Sequence, residues 1–151
     1  MSDYDSDILE WSEQQAALLK RRALGEFVNE NDLDWSNIAE EIESVGRSQL
    51  SSVISYLVQA LAHELKARAW PNSREVSHWR GEARRFRGDA AEAFAPSMRR
   101  RIDITYLYRR ALRSLPDEID GLPPLPLPET CFTSLDELLD DEQPSVSSPQ
   151  S

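Results

Sequence analysis

Apolar residues follow helical periodicity along most of the chain. Ile8, Trp11, Gln15, Leu18 and Leu19 fall on one side of a segment that opens after Asp5 or Ser6. Lys20, Arg21 and Arg22 suit the negative C-terminal end of a helix dipole, and Gly25 supplies a stop, so a helix is predicted over about 6–23. The polar connector GEFVNENDL leads to Asp34, a good N-cap, followed by Glu40, Glu41 and Glu43 and by no proline until Pro71. One long helix, or two sharing an axis, is predicted over 35–69, with a bend or break expected at the Ser44, Gly46, Arg47, Ser48 patch, where propensity is weakest.

Trp70-Pro71-Asn72-Ser73 breaks that helix and caps another, in which Val76, Trp79, Ala83, Phe86, Ala90 and Ala93 alternate at spacings of three and four. Trp79 and Phe86 are therefore expected in the core. Pro96 and Ser97 restart a fourth helix, which carries Met98, Ile102, Ile104, Tyr108, Ala111, Leu112 and Leu115 inward as far as Pro116. DEIDGLPPLPLPE then cannot be helical, and its prolines favour an extended polyproline path laid as a strap over the helices, with Leu125, Leu127, Cys131 and Phe132 tucked inward. A short last helix is expected at about 134–140. No stretch alternates apolar and polar residues for long, and no Asn-Gly or Asp-Gly hairpin turn is expected, so strands are not predicted. The pattern predicts an all-α fold: a bundle of about four main helices with a Pro-rich strap and a short C-terminal helix, forming a single domain over 1–141 with a disordered tail at 142–151.

Composition adds the compartment and the charge plan. A length of 151 residues, 40% of them hydrophobic, is enough to bury a core without disulfide or metal staples. The single cysteine, Cys131, has no intrachain partner, and the acidic N-terminus lacks the pattern of a secretory signal, so a cytoplasmic location is expected. The most apolar stretch, Val53 to Leu65, is interrupted by Ser55, Gln59, His63 and Glu64, which argues against membrane insertion. The formal charge of −10 conceals three blocks: 12 acids and 3 bases in 1–46, 6 acids and 14 bases in 47–115, and 9 acids with no base in 116–151. Of the 17 basic residues 15 are Arg, whose planar fork grips carboxylate or phosphate in pairs.

Several stretches together are distinctive: Trp11 with EQQAALLK, LDWSNIAEEIESVGRS, HELK before a Trp-Pro, HWR, ITYLYRR and LPETCFTSLDELLD. In these the chain resembles, over about residues 4–141, a bacterial family known as domain of unknown function 29. The positions that look like the family pattern are Trp35, Glu40, Glu41, Ile42, Glu43, Gly46, Arg47, Ser48, His63, Lys66, Trp79, Arg87, Tyr106, Arg110, Pro128, Cys131 and Leu138. Phe132 stands where proline is usual, and His78 where serine is usual. The resemblance implies an all-helical protein and supplies no activity.

Chemistry-bearing residues gather in three places. Gln59, His63, Lys66 and Trp70 share one helix face, where an imidazole beside an ammonium suits proton transfer and phosphate binding, or else a histidine bonded inside the bundle with a snorkelling lysine. His63-Glu64 begins like a zinc-protease helix, but Ala67 occupies the place of the second histidine. Glu40, Glu41 and Glu43 offer carboxylates that suit Mg²⁺, with Glu40 and Glu43 as the metal alternative, or simply favour a helix N-terminus. Arg80, Arg84 and Arg87 each follow a core position by one residue and form a charged shoulder that either tracks phosphates or is neutralised by the acids of 30–43 and of the C-terminal segment. No metal or cofactor is expected.

Two classes of function follow. The favoured one is a non-enzymatic helical interaction module, monomeric or dimeric, whose partner is a protein in preference to a nucleic acid. The alternative is an enzyme acting on phosphodiesters or nucleotides through His63, Lys66 and Arg87, or a nucleic-acid binder using the Arg80, Arg84, Arg87 row. A histidine, a glutamate and an arginine converging in space would favour the enzyme.

Overall fold

The computed structural model describes residues 3–140, so the expectation of a disordered tail at 142–151 lies outside the described residues. Six α-helices follow in order: α1 (Asp3–Ser6), α2 (Ile8–Ala23), α3 (Trp35–Ala69), α4 (Val76–Ala93), α5 (Ile104–Arg113) and α6 (Leu135–Leu139). Two 3₁₀ turns, Glu30–Asp32 and Pro96–Arg101, precede α3 and α5. The all-helical expectation is met. The chain divides into two compact units between Ser48 and Gln49.

In the first unit, α2 starts at Asp7 rather than at Asp5 or Ser6, because the Asp7 carboxylate accepts the Glu10 N–H at 3.0 Å. It ends with Gly25 at φ 83°, while Gly25 N–H bonds Arg22 C=O and Glu26 N–H bonds Arg21 C=O. That pairing needs a left-handed residue at the helix end, which glycine adopts without a Cβ clash. Trp11, Val28, Leu33 and Ile38 form a small core, with Tyr4, Leu18 and Leu19 against it. Polar stitches fix the connector across this core. Gln15, buried, donates to Asp32 C=O at 3.2 Å and accepts Asp34 N–H at 2.9 Å. The Asp34 carboxylate accepts from Asn37 Nδ2 at 2.8 Å and Trp11 Nε1 at 3.0 Å, and these bonds, led by that of Asn37, hold it below the usual carboxylate range.

The start and end of α3 match the sequence expectation, yet the helix is unbroken through Ser44–Ser48. Arg47 explains the continuity: it reaches Glu40 at 2.7 Å and Glu43 at 3.6 Å, tying successive turns across the weak patch.

In the second unit the apolar residues of α3 form the centre. Val53, Leu57, Val58, Leu61, Ala62 and Leu65 pack with Ala90 of α4, Met98, Ile102, Leu107, Tyr108 and Ala111 of the following segments, and Leu138 of α6. The expected continuous fourth helix is instead a 3₁₀ turn followed by α5, because Asp103 accepts the Thr105 N–H at 3.0 Å and caps a fresh start. Trp79 is buried against Ala67, Ala69 and Trp70. Phe86 departs from expectation: it is half-buried, stacked near Tyr56 and His63 with Arg85 over its ring.

The Pro-rich segment is a strap, as expected. Trp70 Nε1 donates to Leu122 C=O at 2.9 Å, Leu125 N–H to Ala69 C=O at 3.0 Å, and Tyr108 Oη to Pro128 C=O. Leu127, Cys131 and Phe132 pack on the core, but Leu125 does not: its N–H faces α3, and its side chain is exposed. The strap begins with a minimal hairpin. Asp120 and Gly121 both have positive φ, and Ile119 and Leu122 exchange two backbone hydrogen bonds at 3.0 Å. An Asp-Gly pair is a strong short-range signal for this turn, so the feature was legible in the sequence and corrects the expectation of no hairpin.

Two outcomes follow. Trp79→Ala should lower stability by about 3–5 kcal/mol, the usual cost of removing a buried aromatic, measured by urea unfolding. Tyr4 Oη donates to Glu41 at 2.6 Å, and this bond with the adjacent carboxylate pushes its pKa up to about 12. A folded pKa above the unfolded value near 10 means that the folded state holds the proton more tightly. The contribution is therefore complete below about pH 10 and lost as pH rises toward 12. Tyrosinate absorbance should show this late ionisation, and Tyr4→Phe should remove it.

Candidate functional site

The helical wheel of α4 sorts its side chains into three stripes. Trp79, Ala83 and Ala90 turn inward, Arg80, Arg84 and Arg87 lie on one flank, and His78, Glu82, Arg85 and Asp89 lie on the other. Between the arginine flank, α3 and the C-terminal segment runs an open groove of about 770 Å³. Ala60, Leu61, Ala83, Leu138 and Phe132 form its apolar surface, Arg68, Arg80, Arg84 and Arg87 its basic groups, and Glu64, Glu137 and Asp140 its acidic ones.

The four arginines have different tasks. Arg87 is structural: its Nη2 donates to Glu137 C=O at 2.7 Å and its Nε to Leu138 C=O at 3.3 Å, so its charge satisfies carbonyls at the C-terminal end of α6. Arg68 lies 3.8 Å over the Phe132 ring and 3.6 Å from Glu64, clamping the segment before α6. Arg99, outside the groove, pairs with Asp136 of α6. Arg80 and Arg84 are exposed and, among the described residues, have neither an ion pair nor a hydrogen bond. The expected shoulder thus splits into an anchor and two uncommitted guanidinium groups. Arg85, on the opposite flank, is held by Glu82 at 2.6 Å and Asp89 at 3.8 Å, and its guanidinium keeps the Glu82 carboxyl below the usual range.

His63 lies outside the groove. Its Nδ1 is 2.8 Å from Gln59 C=O, and its ring sits 5.5 Å from Phe86. Neither His63 nor Lys66 lines the groove. His63 therefore does not share the groove with Arg80 and Arg84; it lies instead toward the flank of Glu82, whose carboxyl is held down first by Arg85 and also by the charges of His78 and His63. Glu40 and Glu43, in the first unit, converge on Arg47, whose cation occupies the position between them. Among the described residues no three His, Cys, Asp or Glu side chains group closely enough to hold a metal ion.

The structure gives several family-pattern positions local tasks: Glu41 accepts from Tyr4, Arg47 bridges α3 turns, Trp79 and Leu138 are buried, and Arg110 lies near the Tyr106 ring at 5.9 Å. Sequence reasoning did not separate Arg68 from its neighbours. Its position four residues after Glu64 was readable, but its stacking on Phe132, 64 positions away, was not.

An all-helical protein with a strapped core is what these features define, and the comparisons agree on the helical class. The chain belongs to the family described as Domain of unknown function DUF29, which matches residues 4–143. It is similar to a crystal structure of an alpha-helical protein of unknown function from Rhodospirillum rubrum, at 30% identity and a TM-score of 0.67, covering 94% of this chain and 92% of that one. The comparison with curated proteins found no match. No enzymatic or nucleic-acid function is indicated by the family or the neighbour.

Arg87→Leu should release α6 from α4. We expect a loss of about 1–2 kcal/mol, below the range for fully buried charge-assisted bonds because Arg87 is half-exposed. Hydrogen exchange should show faster exchange at Leu138 and Leu139 while amides of α3 stay protected.

Proposed function

We propose that the protein is a non-enzymatic helical interaction module that holds a short acidic segment of a partner protein in the groove beside α4. The observation that carries this reading is that Arg80 and Arg84 line the groove without a partner among the described residues, while Arg87, Arg85, Arg68 and Arg99 are engaged. Uncommitted guanidinium forks beside an apolar surface suit carboxylates flanked by apolar side chains. A phosphate backbone fits less well, because Glu64, Glu137 and Asp140 interrupt the basic row and the chain's formal charge of −10 repels a long polyanion.

Among the described residues no helix is long and apolar enough to cross a membrane. The free thiol of Cys131 suits a reducing compartment, which supports a cytoplasmic location.

The test is fluorescence anisotropy with a labelled peptide of mixed Glu and Leu and with an oligonucleotide of equal length. The intact chain should bind the peptide more tightly, and Arg80→Glu with Arg84→Glu should weaken that binding about tenfold or more, equivalent to at least ~1.4 kcal/mol, with unchanged circular dichroism. Tighter, steeply salt-dependent binding of the oligonucleotide would replace this reading with phosphate recognition.

A further inference from the structure

Among the described residues, seven of the ten large hydrophobic side chains that are exposed belong to the first unit: Ile8, Leu9, Leu24, Phe27, Trp35, Ile42 and Val45. Two of them continue a stripe that is buried where it begins. Ile38, Ile42 and Val45 stand at i, i+4 and i+7 on α3 and so share one face. Ile38 is covered in the small core with Trp11, and Tyr4 reaches α3 at Glu41. Beyond that level the stripe is bare, with Ile42 70% and Val45 64% exposed.

We infer that this stripe is a second docking surface and that its occupant is a cationic amphipathic helix of a partner protein. The i, i+4, i+7 spacing is what a helix lying along α3 would meet with its own apolar row. The charge around the stripe sets the sign of the partner. Residues 3–13 carry five acids and no base, and on α3 the acids Glu40 and Glu43 share Arg47 while Glu41 accepts from Tyr4. A second copy presenting the same face would set these acids against one another, since residues 3–48 hold twelve acids and four bases. A lysine- or arginine-rimmed helix answers both the apolar row and the acidic rim.

The probe is a labelled amphipathic Leu/Lys peptide of about 18 residues, five helical turns, titrated against the full chain by anisotropy. We expect saturable binding that weakens with salt and falls about tenfold or more in Ile42→Ser with Val45→Ser, substitutions at exposed positions that leave the circular dichroism unchanged. A scrambled peptide of the same composition should bind comparably weakly to the intact chain. Asp5→Lys, which alters the rim and leaves the stripe intact, should also weaken binding, so the reading does not depend on the double variant alone. Arg80→Glu with Arg84→Glu should bind the peptide as the parent does, which separates this surface from the groove. Equal binding of the scrambled peptide, or unchanged binding by the Ile42, Val45 variant, would overturn the inference. So would a dimer in sedimentation equilibrium that dissociates in that variant, since the stripe would then belong to a second copy of the chain.

Discussion

The apolar surface of α3 between Val53 and Trp70 is the constraint on which the second unit depends. A single helix cannot bury its own side chains, and here those of Val53, Leu57, Leu61, Leu65 and Ala67 leave almost nothing to solvent. Such thorough burial requires cover from several sides. Trp79 and Ala83 of α4, Leu107 and Tyr108 of α5 and Leu138 of α6 are buried with this helix, and the strap is bonded across its C-terminal end through Ala69 and Trp70. The strap packs Leu127, Cys131 and Phe132 inward, and directional hydrogen bonds at three points set its register.

Charge is arranged around that packing. Arg87 and Arg99 hold α6, a helix too short to persist without tertiary support, by meeting its carbonyl end and its Asp136. Arg68 clamps Phe132 just before it. The arginine-rich middle of the chain is thus partly an internal fastening for the acidic C-terminal segment, while Arg80 and Arg84 remain exposed along the groove. The first unit has the opposite balance: a small core, an acidic rim and, among the described residues, most of the exposed large apolar side chains. Membership of DUF29 and the likeness to the Rhodospirillum rubrum structure place the chain among helical proteins of unknown function, and neither brings a catalytic set that the geometry would have to accommodate.

Much of this architecture was legible from local pattern. The bounds of α3, the N-cap of α6 at Ser134 and the burial of Trp79 follow from capping residues, prolines and three-four spacing, all of which act within a few residues along the chain. The Asp120-Gly121 turn carries a local signal of the same kind. What local pattern could not decide was which of two acceptable positions a side chain takes. Asp7 won the cap of α2 over Asp5 and Ser6, Asp103 interrupted a helix that periodicity would have continued, and Leu125 turned outward because its amide was claimed by Ala69.

The candidate site was decided by tertiary structure. Arg80, Arg84 and Arg87 are equivalent on the wheel of α4, spaced so that all three share a flank. They part company only because α6, some fifty residues later, brings its carbonyls to Arg87 and to neither of the others. His63 likewise looked as available to the arginines as to any other group, and it is the fold that sets it against Phe86 and away from the groove. Hydrophobic periodicity determines which face of a helix turns inward, because burial is set by one helix's own geometry. Which charges are satisfied and which remain to meet a ligand depends on partners distant in sequence, and only the folded chain brings those within hydrogen-bonding reach.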